Sequence, residues 1–166
     1  MDIEVEYLPF ELRPDPTPQP PPDPERTRER WAHSVQPLAE QLGVEINPPL
    51  ARPHTGLAHE AFAVARDAGR GEAMAHGLFR AHFVQGRDLG EIDTLVAVGE
   101  AAGVDGAALR AALASRERSE EVAAGLARAA EMGVTAVPTF WIGRYGIPGL
   151  VDVETLKQVI AESAAS

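Results

Sequence analysis

The chain of 166 residues contains no cysteine. That removes disulfides, thiolate nucleophiles and thiolate metal sites, and with them the usual reagent of thiol–disulfide exchange. Cations are scarce too: 15 Lys and Arg against 25 Asp and Glu leave a formal charge of −10. Phosphate backbones are bound by clustered Lys and Arg, so no nucleic-acid partner is expected. Apolar runs extend over only a few residues, so no segment is expected to enter a membrane. The opening MDIEVEYLPFELRPD has neither a basic leader nor an apolar stretch, so it does not read as a signal peptide and the expected compartment is the cytoplasm. Apolar residues still make up 45% of the chain, but many are alanine, which favours helix more than it fills volume.

The pattern changes twice along the sequence. Ile3, Val5 and Tyr7 alternate with Glu4 and Glu6, the period of a strand, which Pro9 would end. Seven of the 14 prolines then fall between Pro14 and Pro24, predicting an extended connector or arm. From there the period becomes helical. Trp31, Val35, Leu38 and Leu42 share one face, with Pro37 tolerable only near a helix start or at a kink. Further stripes run through Leu57 to Ala68, Met74 to Phe83, Ile92 to Gly99, Leu109 to Leu113 and Val122 to Ala130, mostly closed by glycine. Roughly six helices are therefore predicted. The β-branched and aromatic run from Val134 to Gly143 reads as a buried strand, and Arg144 to Gly149 as a tight turn with a second short strand. Asp152 is placed to cap a last helix with Val153, Leu156, Val159 and Ile160 on its apolar face. The fold class is thus α/β, a sheet with a large all-helical insertion. Its parts are 1–24 (strand and proline-rich linker), 25–132 (helical subdomain) and 133–166 (strand, strand, helix).

Few residues are placed for chemistry. His54 and His59 are five positions apart and His76 and His82 six, so neither pair shares a helical face as zinc helices require. No metal site and no cofactor are expected. Arg80, Arg87 and Asp88 read as exposed charges, Glu117, Glu120 and Glu121 as a solvated helix face, and Trp141 as core. Gly69-Arg70-Gly71 joins two helical stretches and is no phosphate loop. The informative segment is Gly133-Val134-Thr135-Ala136-Val137-Pro138-Thr139-Phe140. A proline there removes a ladder donor; it either begins a strand with an ordinary trans bond or turns the chain through a cis bond, as about 5% of X–Pro bonds do in folded proteins. Spacing alone favours trans.

That segment, together with Gly143-Arg144-Tyr145-Gly146-Ile147-Pro148-Gly149, Ala58-His59-Glu60-Ala61-Phe62, Gly77 to Phe83 and Gly86 to Gly90, resembles the DsbA family of the thioredoxin-like superfamily. Within it the likeness is to the FrnE-like and 2-hydroxychromene-2-carboxylate isomerase-like members. The opening Val5 to Pro14 is similar to that family's second strand and its exit. The resemblance implies a cis-proline at Pro138, with Val137 and Thr139 flanking a substrate, so Val137, Pro138 and Thr139 are the expected substrate-binding residues. It implies as partner a thiol- or disulfide-bearing polypeptide, or glutathione. It also implies a first strand and a Cys-x-x-Cys helix, or a serine there in the glutathione-dependent relatives, whose dipole lowers the thiol pKa. Neither matches any stretch here, and Ser34 lies inside the helical block, so no catalytic nucleophile is named. The expected fold is therefore N-terminally incomplete, lacking first strand and first helix. Residues upstream of Met1, direct closure of the remaining strands, or a strand from another chain would each fill the gap; the abrupt start at an element boundary points to the first. An open edge also predicts self-association. The functional expectation is a protein of the thiol–disulfide oxidoreductase family, inactive in dithiol chemistry as written. The alternatives are a redox-dead module that binds a peptide or partner, and a glutathione-dependent isomerase-like protein without its nucleophile.

Overall fold

The computed structural model describes residues 3–49 and 52–164. By their internal packing these fall into two units, Arg13–Val122 and the pair Met1–Leu12 with Ala123–Ser166.

The larger unit is helical. Its helices are α1 (Pro24–Ser34), α2 (Gln36–Leu42), α3 (Gly56–Asp67), α4 (Gly71–Phe83), α5 (Ile92–Ala101) and α6 (Gly106–Ser115), followed by the start of α7 (Ser119–Glu131). The stripe from Trp31 to Leu42 is two helices, not one. Pro37 lacks an N–H, so it fits the first turn of α2, and the helix breaks just before it. Asp23 starts α1 by accepting the Arg26 N–H at 3.0 Å, and Asp105 starts α6 by accepting that of Ala108 at 3.0 Å. The core lies where α3, α4, α5 and α6 meet. Met74, Leu95, Leu109 and Leu113 fill it, while Ala61, Ala65 and Ala81 are small enough to let the helix axes approach. Burying each large side chain is worth about 1.5–3 kcal/mol.

One polar group sits among them. Glu60 of α3 is only 1% exposed, and its Oε1 accepts the Arg116 Nε–H at 2.7 Å. Arg116 follows the last turn of α6 with φ 56°, a left-handed cap usually taken by glycine. Nearby, Arg66, Asp67, Arg118 and Glu121 close a ring of ion pairs. Arg66 meets Asp67 at 2.7 Å and Glu121 at 2.8 Å, and Arg118 meets Asp67 at 2.8 Å and Glu121 at 3.3 Å. The Arg66 guanidinium holds the Asp67 carboxyl below its ordinary range, and Asp67 in turn raises Arg66.

The smaller unit contains the rest of α7, strands β1 (Thr139–Ile142) and β2 (Tyr145–Pro148), and α8 (Val153–Ala164). The strands form an antiparallel hairpin pairing Thr139 with Pro148 and Ile142 with Tyr145. Gly143 takes φ 57° at the first of the two turn positions, where a type II′ hairpin requires glycine.

Three strand and burial expectations are corrected here. The alternating segment 3–8 joins no ladder among the described residues. A strand needs a partner, and this segment is instead held to α7: Arg128 bonds Glu6 at 3.0 Å, and a Cβ on Gly125 would stand 2.5 Å from the Pro9 ring. Ile3 and Val5 remain 56% and 66% exposed. The run from Val134 is strand only after Pro138, because Thr139 Oγ1 donates to the Ala136 carbonyl at 2.7 Å and closes a turn before the ladder begins. Finally, Trp141 is 45% exposed and α8 contains no fully buried residue, since a two-stranded hairpin is too small to cover either.

Candidate functional site

The segment expected to bind substrate lies between α7 and β1. The chain leaves α7 with the Val134 N–H bonded to the Ala129 carbonyl at 3.0 Å, runs irregularly through Ala136, and turns at Pro138. The Val137–Pro138 peptide bond is cis. The far side of this bend is fixed by the Gly149 N–H, which donates to the Pro138 carbonyl at 2.7 Å. The loop is therefore held at both ends by backbone and hydroxyl bonds while its tip stays open. Val137 is 49% exposed, Pro138 is exposed and Thr139 half-buried.

The Gly149–Pro138 bond also fixes the phase of the hairpin. In an antiparallel pair, residues that exchange hydrogen bonds alternate with residues that do not. With Pro138 bonded to the residue opposite it, the backbone groups of Phe140 and Ile142 face β2, and those of Thr139 and Trp141 face away from it. The loop tip thus continues into main-chain donors and acceptors that face away from β2, carried by uncharged residues. The opposite edge of the hairpin includes Pro148, which has no N–H to offer.

The surroundings are chemically quiet. The Trp141 indole lies over Gly146 and donates through Nε1 to the Gly143 carbonyl at 3.0 Å. Arg144 stacks on the Tyr145 ring at 5.1 Å. Asp152 caps α8 through the Thr155 N–H at 2.9 Å and hydroxyl at 2.7 Å, and these bonds lower its carboxyl pKa. None of these groups is poised as a nucleophile.

The other sequence candidates are occupied elsewhere. Ser34 donates to the Arg30 carbonyl at 2.7 Å near the end of α1, and Asp88 accepts the Gly90 N–H at 2.8 Å. His54 Nδ1 lies 3.2 Å from the Arg13 carbonyl and 3.3 Å from Gln19 Nε2. His82 packs edge-on against Phe83 at 4.8 Å, and burial lowers its pKa. Among the described residues no group of His, Asp and Glu could hold a metal ion, and no helix is long and apolar enough to cross a membrane. Sequence reasoning expected an open edge but did not give the phase of β1, because that is set by a hydrogen bond between Pro138 and Gly149, which no residue pattern encodes.

The DSBA-like thioredoxin domain model matches residues 1–161. The uncharacterized protein YwbO of Bacillus subtilis (strain 168) is 41% identical over 165 residues, covering 97% of this chain and 82% of YwbO. The crystal structure of a probable DsbA oxidoreductase from Streptomyces coelicolor superposes with a TM-score of 0.75 at 26% identity, over 84% of this chain. The chain spans 62% of that structure's length. A 2-hydroxychromene-2-carboxylate isomerase structure shares the fold, with a TM-score of 0.71 at 21% identity over 82% of this chain and 67% of its own.

Proposed function

The chain belongs to the DsbA-like thioredoxin domain family, and from that premise we propose that it binds an extended polypeptide of the kind such enzymes act on without itself performing dithiol chemistry. With no cysteine in its 166 residues, it has no group to form a mixed disulfide. What supports binding is the loop at Val137, Pro138 and Thr139. An exposed apolar side chain there stands beside main-chain groups that point away from β2, the combination by which an extended peptide is held through backbone bonds and selected through side-chain pockets. The partner would be a thiol- or disulfide-bearing polypeptide. Glutathione is the smaller ligand of the same chemistry.

Titration with labelled, reduced insulin B chain, and separately with glutathione, tests this reading. The polypeptide should bind and glutathione should not; the reverse result would favour an isomerase-like site. Covering the open half of Val137 is worth about 1 kcal/mol, so Val137→Ser should weaken peptide binding roughly fivefold. An unchanged affinity in that variant would remove the loop from the site. Insulin reduction and glutathione turnover by the chain alone should both be absent.

A further inference from the structure

We propose that α1 and α2 form a flap: together they swing away from the helical core as one unit while α3 to α6 stay folded, and the contact of Trp31 with Phe83 is the latch that holds them shut. The weakness lies in the side chains of α1 themselves. Of its eleven residues, Glu25, Arg26, Arg28, Glu29, Arg30, His33 and Ser34 are polar and exposed, and Trp31 is the one large apolar group. Thr27 is the single fully buried residue of α1 and Ala39 that of α2, whereas α3 and α5 bury five each. Stability follows the apolar area a segment removes from water, so opening α1 and α2 costs far less than unfolding the core formed by Met74, Leu95, Leu109 and Leu113.

The ties that hold the flap can be named. The Trp31 ring lies 6.1 Å from that of Phe83, at the end of α4, with the planes 30° apart. Arg52 donates to the Thr27 hydroxyl at 3.0 Å, a bond that water replaces at small cost on opening. Beyond α2, Asn47 is pinned to the end of α4: its N–H donates to the Phe83 carbonyl at 2.6 Å and its side chain to the Val84 carbonyl at 3.0 Å. Those two bonds lie outside the flap and give it a fixed pivot. The aromatic contact is therefore the tie that opening must break. α1 and α2 move together because helical bonds run through their junction. The Val35 N–H donates to the Trp31 carbonyl at 3.0 Å, and the Val35 carbonyl accepts the Ala39 N–H at 2.9 Å. Shut, the flap sets Trp31 against Phe83; open, it bares that ring beside Phe79, stacked on it at 6.3 Å, so that α4 presents two rings one turn apart.

Native-state hydrogen exchange of the full chain, read by mass spectrometry, tests the proposal. The amides of α1 and α2 should exchange together and well ahead of those in α3 to α6. Trp31→Ala should speed exchange across both α1 and α2 about tenfold, the worth of an aromatic pair with its buried area, and leave α3 to α6 unchanged. Alanine is the better helix former, so a loss of helix propensity cannot produce that result. Trp31 and Trp141 are the two tryptophans of the chain, so in a Trp141→Phe background the fluorescence reports Trp31 alone. There Phe83→Leu should make Trp31 more accessible to acrylamide. Protection of α3 to α6 shows in each case that the core is folded; if Phe83→Leu disturbs it, Trp31→Ala, whose side chain belongs to the flap, decides. Exchange in α1 and α2 as slow as in α3 to α6, unrelated rates in α1 and α2, or no acceleration in Trp31→Ala overturns the proposal. So does unchanged quenching in a folded Phe83→Leu variant.

Discussion

Replacing Arg116 by alanine tests the polar contact inside the helical core. Glu60 is 1% exposed, its Oε1 is bonded to Arg116 Nε at 2.7 Å, and its Oε2 is buried with no hydrogen-bond partner among the described residues. Removing the guanidinium strands a carboxylate among apolar side chains. Breaking a fully buried pair costs about 3–5 kcal/mol; because the Arg116 side chain is 57% exposed, the lower end, about 3 kcal/mol, applies. For a chain of this length that is a fall in Tm of about 6–12 °C. Arg116 carries a second, independent contribution: at φ 56° any residue with a Cβ is strained, and glycine is not. Arg116→Gly should therefore be about 1 kcal/mol less damaging than Arg116→Ala, although it removes the same guanidinium. Pairing Arg116→Ala with Glu60→Leu removes both charges together and should recover most of the loss, since an apolar pair leaves nothing unsatisfied. The assay is reversible urea or thermal unfolding followed by circular dichroism for the parent, three single variants and the double variant. If Arg116→Ala lies within about 1 kcal/mol of the parent, or the double variant is no better than Arg116→Ala, the pair does not hold the core as argued.

Two further outcomes follow from the same unit. Burial holds the His82 imidazole below its ordinary pKa of 6.5, outweighing the opposing influence of the Arg87 backbone bond and the Asp88 charge. The unfolded chain therefore binds the proton first, so stability is full above pH 6.5 and falls as pH drops below it, until the folded imidazole also protonates. His82→Gln should flatten the stability profile over that window, as read from urea midpoints at successive pH values; an unchanged slope would assign the acid sensitivity to other groups. Gly77→Ala would place a methyl 2.7 Å from Val98 Cγ1, and overpacking of about 1–3 kcal/mol outweighs the gain in helix propensity of about 1 kcal/mol. A net loss of stability on thermal melting is expected, and a more stable variant would show that α4 and α5 separate freely.

The helices were legible because each stores its information locally: the apolar period, an aspartate at the start of α1, α6 and α8, and a proline whose missing N–H fits only the first turn of α2. What the sequence left hidden depends on two segments at once. Ile3, Val5 and Tyr7 have strand periodicity, but periodicity describes one chain and a ladder requires two, so the segment lies against α7 through Glu6 and Pro9. Arg116 ends a helix in the conformation that glycine usually takes, and nothing local announces that its guanidinium reaches a carboxylate 56 positions earlier. A faint sign did exist in Glu60, three residues after Leu57 and four before Val64, a charge set into an apolar stripe. The same contrast governs the site. Family resemblance could single out Val137, Pro138 and Thr139 as a linear string, but the direction in which the backbone of Thr139 and Trp141 points is decided by the Gly149–Pro138 hydrogen bond across the hairpin. That bond decides which main-chain groups of β1 face away from β2, while Trp141, expected in the core, stays 45% exposed because a two-stranded hairpin is too small to cover it.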